Sequence, residues 1–229
     1  MPHDHLDHGN DHDHGHDRLS PSGHPYRADQ DAPLTDAQAL EIAVRELLVE
    51  KGVTTPGEIA DAIARMDART PAVGARVVAR AWCDPTFKAR LLEDGSAAAR
   101  EMGADIDALH LVVVENTADV HNMIVCTLCS CYPRSLLGIP PDWYKQRAYR
   151  ARAVIEPRRV LSEFGLELPE TTRVRVHDST ADMRYIVLPA RPAGTEGWPE
   201  ERLAALVTRD CMIGVAVPRA EAAPAAAAE

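Results

Sequence analysis

The sequence predicts an α+β protein: an N-terminal helical arm, then a layered α/β domain with a cysteine-rich loop at a strand end. Three observations carry this. Apolar residues recur at helical spacing from Leu40 to Trp82, short β-branched runs stand at 111–114 and 120–125, and the second run leads straight into Cys126-Thr127-Leu128-Cys129-Ser130-Cys131. The 229 residues, 45% of them hydrophobic, suffice for one domain of ordinary size plus tails. The expected segments are a His/Asp-rich disordered tail at 1–33, a helical arm at 34–108 that packs on the next domain or on a partner chain, an α/β domain at 109–218 that carries the cysteine loop and a flexible tail at 219–229.

Residues 1–33 hold seven of the ten histidines and seven aspartates, with almost nothing apolar to bury. At Thr35 the pattern changes. Thr35 and Gln38 make a capping box, and Leu40, Ala43, Val44, Leu47 and Leu48 follow at helical spacing up to Gly52. Thr55-Pro56 opens a second helix with Ile59, Ile63 and Met66 on one side, Val73, Val77, Val78 and Trp82 suggest a third, and Asp84-Pro85 begins a fourth that stops near Gly95. Strands follow at 111–114 and 120–125. Pro140-Pro141-Asp142 starts one helix running through Trp143, Tyr144 and Tyr149, and Glu156-Pro157 starts another that ends at Gly165. Strands at 173–176 and 184–188, a helix from Pro199 and a strand at 212–217 complete the expected fold.

A net charge of -10 argues against a nucleic-acid or anionic-membrane partner. No run approaches 18 apolar residues and the first 30 lack a secretory pattern, so the expected compartment is the cytoplasm. Five cysteines is an odd count for a disulfide framework, and a reducing compartment keeps thiols free.

What needs three sulfurs within six residues? A disulfide fits poorly, because one thiol is left over and a bridge between Cys129 and Cys131 would close a strained ring. A zinc site is open to Cys126-x-x-Cys129 with Cys131, completed by Cys211 or His121. Against zinc, the single residue between Cys129 and Cys131 brings the main-chain nitrogens of Ser130 and Cys131 close to a bound ion. Three thiolates with main-chain nitrogens suit a transition metal with strong geometric demands, iron or cobalt, and leave one position open for Lewis-acid chemistry on water or substrate. Exposed thiolates can also be oxidised to sulfenic and sulfinic acids, whose oxygens need donors; Arg134, Arg147, Arg150 and Arg152 are near in sequence, although Arg147 and Arg152 read as a solvated face. Tyr132, Trp143 and Tyr144 are candidate pocket walls, Ser130 a hydrogen-bonding group within the site, His110, His121 and His177 structural histidines, and Cys83 and Cys211 buried packing thiols.

With VCTLCSC at 125–131, PPDWYK at 140–145, YRARAVIEPRRVLSEFG at 149–165 and RPAGTEGW at 191–198, the chain from about 34 to 218 resembles the alpha subunit of nitrile hydratase. That resemblance implies hydration of a small-molecule nitrile to its amide. With Thr127 after the first cysteine, the resemblance implies Co(III) in preference to iron. It also implies Cys126, Cys129 and Cys131 as thiolate ligands, the amides of Ser130 and Cys131 as the remaining base ligands, Cys129 as sulfinic acid and Cys131 as sulfenic acid. Water or the Cys131 sulfenate oxygen would attack the nitrile carbon. The implied partner is a beta subunit, in an obligate heterodimer or larger heteromer, whose arginines hold the oxidised sulfurs; an activator protein that inserts cobalt is a further candidate partner. One position departs. Arg134 stands where many nitrile hydratases have Trp, and in this the chain is similar to the metal-bearing subunit of thiocyanate hydrolase. Thiocyanate hydrolysis is therefore one alternative, and a zinc-binding or metallochaperone module with a metal-capturing histidine tail is another.

Overall fold

The computed structural model describes residues 34–106 and 109–222, so the His/Asp-rich segment at 1–33 and the last seven residues of the expected C-terminal tail lie outside the described residues. The chain divides into two compact units between Thr55 and Pro56. This division differs from the expected arm of 34–108, and the reason is burial. The helices after residue 70 bury their apolar faces in the second unit, as its core residues Val77, Val78, Phe87 and Leu91 show.

In the first unit, α1 (Asp36–Glu50) begins with the expected capping box: Thr35 Oγ1 accepts from the Gln38 amide at 3.3 Å, and Gln38 Oε1 accepts from the Thr35 amide at 2.9 Å. It buries no residue, and Leu40, Val44 and Leu47 are exposed.

The second unit opens with α2 (Pro56–Asp67), which also buries no residue, followed by α3 (Ala72–Cys83), α4 (Pro85–Glu93) and α5 (Gly95–Glu101). Sequence reading missed α5: the Asp94 carboxylate accepts from Ala97 N at 2.9 Å and restarts a helix where Gly95 was expected to end one. Ser96 then ties α5 to β1 (His110–Glu115), its hydroxyl accepting from Leu111 N at 2.8 Å. After β2 (Val120–Val125) come α6 (Arg134–Leu137), α7 (Asp142–Lys145), α8 (Arg147–Ile155) and α9 (Pro157–Glu163), then β3 (Arg173–Asp178), β4 (Met183–Leu188), α10 (Glu200–Ala204) and α11 (Arg209–Ile213).

Both strand pairs are parallel: β1 with β4 in the register His110↔Met183, and β2 with β3 in the register Val120↔Arg173. Parallel pairing demands a long crossover, which α6 to α9 supply between β2 and β3. All of β2 but Val120 is buried, as expected of a strand covered on both faces. Its Met123, Ile124 and Val125 lie in the same core as Leu136, Leu137 and Leu161, each side chain contributing roughly 1.5–3 kcal/mol by leaving water.

The strand expected at 212–217 is a helix and a turn. Thr208 Oγ1 accepts from Cys211 N, α11 follows, and Gly214 closes it at φ +90. A Cβ at Gly214 would stand 2.1 Å from Asn122 O, so only glycine lets this turn reach β2. The apolar run after Asp210 is buried packing, and its periodicity alone could not separate helix from strand. The single helix expected through Tyr149 breaks at Gln146, where ψ 140 separates α7 from α8.

Candidate metal centre and its cavity

The loop of residues 126–131 begins where β2 ends, at the C-terminal edge of a parallel pair. Val125 O accepts from Ser179 N at 2.7 Å and Ile124 O from the Tyr149 hydroxyl at 2.7 Å, so the last turn of strand before the loop is held from two sides. On the loop itself, Asp178 at the end of β3 accepts twice from Thr127, from its amide at 2.9 Å and its hydroxyl at 2.5 Å. Arg150 donates to Thr127 O at 3.3 Å, and the Tyr144 hydroxyl donates to Cys131 O at 3.0 Å. Behind the loop, Trp143 packs edge-on against Tyr149 and Phe164 with centroids 4.8 and 4.7 Å apart, and Tyr132 against Tyr144 at 5.0 Å.

These restraints gather the three sulfurs within 4.8 Å of one another. Cys129 Sγ lies 3.4 Å from Cys126 Sγ and 3.2 Å from Cys131 Sγ. Cys126 is buried, Cys131 half-buried and Cys129 exposed. Two causes separate Cys129 from Cys131, hydrogen bonding among the thiols and unequal burial. Hydrogen bonds from the thiols of Cys131 and Cys126 stabilise a thiolate on Cys129 and bring it down to about 7, while burial and the Cys129 thiolate push Cys131 up to about 12. A donor set of three sulfurs so close together fits a thiophilic metal ion.

Among the described residues no His, Asp, Glu or fourth Cys joins this group. The residues expected to complete a zinc tetrahedron are engaged elsewhere. His121 is buried, with Nδ1 3.2 Å from Asn116 Nδ2 and Nε2 2.7 Å from Gly214 O, and the buried Cys211 accepts from Thr208 Oγ1 at 3.2 Å. Cys83, expected to be buried, is exposed at the end of α3.

The cluster opens onto a cavity of about 320 Å³. Cys129, Ser130, Cys131, Tyr132 and Arg134 line it, as does Arg184 from β4. Of the expected pocket residues, Tyr132 is buried with its hydroxyl 3.5 Å from Leu137 O, Arg134 is exposed at the start of α6, and Trp143 lies in the aromatic group and not in this wall. Arg152 is bound by Glu156 and Glu163 instead of facing water alone. Sequence reading missed Asp178, which is 51 residues from Thr127, and Arg184, because their role depends on strand pairing; Tyr144, expected as a pocket wall, holds the loop through its hydroxyl and is not in this wall, and Tyr149 was expected only as part of a helix.

A family model described as nitrile hydratase, alpha chain, matches residues 35–216. Over 182 residues the chain is 54% identical to the low-molecular weight cobalt-containing nitrile hydratase subunit alpha of Rhodococcus rhodochrous, covering 77% of this chain and 86% of the relative. Thiocyanate hydrolase subunit gamma of Thiobacillus thioparus is 44% identical over 198 residues, covering 81% and 82%. Among solved structures, a double mutant of the Fe-type nitrile hydratase from Comamonas testosteroni Ni1 superposes with a TM-score of 0.78 at 44% identity, covering 86% of this chain and all of that one. A strand-end loop of three clustered thiols, set in a chain matched over this length, has one family assignment: the chain belongs to the nitrile hydratase alpha-chain family.

Proposed function

We propose that this chain is the metal-bearing alpha subunit of a cobalt-dependent nitrile hydratase and works with a beta subunit as a heteromer. The observation that carries the reading is the cluster of Cys126, Cys129 and Cys131 at the end of β2, in a chain 54% identical to a cobalt-containing relative. Those three sulfurs, with the main-chain nitrogens of Ser130 and Cys131, would hold the ion. When bound, cobalt(III) supplies a Lewis acid that withdraws charge from a nitrile or from water. Asp178 and Tyr144 hold the loop in place, and the cavity beside Cys131 receives the nitrile. The net reaction adds one water across the triple bond. Oxygen bonds to carbon, one carbon–nitrogen bond opens, and the imidate formed shifts its proton from oxygen to nitrogen to give the amide. Cys129 as sulfinic acid and Cys131 as sulfenic acid would complete the site, the sulfenate oxygen of Cys131 taking the proton of the attacking water, or attacking the carbon itself, in which case a water then adds at that carbon, the carbon–oxygen bond to the sulfenate breaks and Cys131 is returned unchanged. Ser130, in the cavity wall, is placed to hydrogen-bond there.

The test is metal analysis of the heteromer together with mass spectrometry of the peptide carrying residues 126–131. Cobalt, two added oxygens on Cys129 and one on Cys131 support the reading, whereas zinc with three unmodified cysteines overturns it. Cys131→Ala is expected to lose cobalt and amide formation together, so a cobalt-loaded, active variant contradicts the ligand assignment. A second reading, thiocyanate hydrolysis, is favoured by Arg134 in the cavity wall and by the likeness to thiocyanate hydrolase subunit gamma. Thiocyanate consumption by the same cobalt-loaded sample decides it.

A further inference from the structure

Three arginines and one carboxylate face the cavity beside the cysteines: Arg69, Arg134, Arg184 and Asp105. Two of the arginines are committed. Arg69 Nη2 lies 3.5 Å from Asp105 Oδ2. Arg184 donates through Nη1 to the carbonyls of Thr180, Ala181 and Met183, and its charge draws against Cys131. Arg134 has neither role. Among the described residues its guanidinium makes no ion pair and no side-chain hydrogen bond, although it stands in the wall.

Arg134 also stands in the wall of a second cavity of about 190 Å³, together with Arg69 and the apolar Met66, Ile139 and Pro140. Lys145 in that cavity pairs with Asp142 at 3.0 Å. The shared wall is built by a close approach. Gly138, at φ +71, ends α6 where a Cβ would stand 2.7 Å from Arg69 O, and this brings the base of Arg134's helix against the backbone of Arg69. Arg134, unpaired among the described residues, thus lines both the cavity that holds Cys129 and Cys131 and the apolar recess beside it, so a substrate whose nitrile reaches the sulfurs can extend toward a cation. A guanidinium is a planar fork that matches a carboxylate with two parallel hydrogen bonds.

We infer that Arg134 is a specificity-determining residue, making the site selective for short nitriles that carry a carboxylate, with the nitrile toward Cys129–Cys131 and the carboxylate at Arg134. The inference rests on the nitrile-hydration reading. It fixes the substrate class through this chain's own side chain.

The experiment uses the cobalt-loaded heteromer. Amide formation is followed for ω-cyanocarboxylates of two to four methylenes and for alkyl nitriles of the same length, in the wild type, Arg134→Gln and Arg134→Lys, with cobalt content measured in each. The expected ratio of kcat/KM, charged over neutral, is at least about tenfold in the wild type at low salt, the size of one charge-assisted contact. It falls toward unity in Arg134→Gln and recovers in part in Arg134→Lys. In the wild type, added salt raises KM for the charged series alone. Hydration of the neutral series without preference for the charged one overturns the inference and leaves the hydratase reading intact, as does a preference that survives Arg134→Gln with cobalt retained. Failure of the cobalt-loaded wild type to hydrate either series overturns the hydratase reading itself. Because the salt dependence is read on the wild type, the inference stays open to refutation even if a variant fails to fold.

Discussion

Asp178 takes both hydrogens that Thr127 can offer, so the residue after the first ligand is fixed by a carboxylate on the neighbouring strand. Asp178→Ala removes both bonds from a solvent-exposed site, a loss of about 0.5–1.5 kcal/mol for each in loop order. The expected outcome is faster loss of cobalt during dialysis against a chelator, with circular dichroism unchanged; unchanged retention would deny Asp178 a part in holding the loop. His121 makes a pH prediction of definite sign. The ring is neutral, Nδ1 accepting from Asn116 Nδ2 and Nε2–H donating to Gly214 O, and burial holds its pKa below the ordinary value; burial and the charge of Arg175 lower His177 likewise. An unfolded chain protonates these rings near about 6.5, before the folded chain does. Their stabilisation is complete above that pH and lost as the pH falls below it, by at most about 1.4 kcal/mol per pH unit for each histidine. Urea unfolding of the metal-free chain at pH 7.5 and 5.5 measures it. Equal stability at both values would contradict the neutral assignment.

At the scale of elements, α1 carries its own start signal but no burial. A 15-residue helix without a buried face is marginal in water. Hydrogen exchange of the isolated chain is expected to find its amides far less protected than those of α3, and protected once the beta subunit is bound. Equal protection in the isolated chain would end the expectation of a partner-contacting arm. The contrast with α11 explains what sequence could and could not reveal. Thr35 and Gln38 state their helix locally, and 120–125 state their strand by composition, so both were legible to the residue. In α11 the signals were equally local, Thr208 at one end and Gly214 at the other, but the apolar run between and after them reads as strand until its packing against β2 is known. The very short α6 offers too few residues for any periodicity, and Arg134 was legible as a residue type while its cavity was not. The three sulfur ligands were legible because they are contiguous. Asp178 and Arg184 were not, because parallel pairing brings them in from the other side of a crossover.

For the molecule as a whole, a net charge of -10 disfavours polyanions, and no helix among the described residues is long and apolar enough to cross a membrane. The ten histidines are unevenly spread, with seven before residue 25. Imidazoles in such number bind divalent ions, so removal of residues 1–24 is expected to lower cobalt incorporation when the metal is scarce and to leave it unchanged when cobalt is abundant. Equal loading at limiting cobalt refutes a capturing role. The contiguity of the sulfurs has a consequence for the order in which this protein is made. Drawing together ends that are only a few residues apart costs little chain entropy, whereas joining Thr127 to Asp178 closes a loop of 51 residues. Every sulfur ligand is thus in reach of an ion before any strand has paired, and a chain still lacking its tertiary structure already holds the means of gripping its metal.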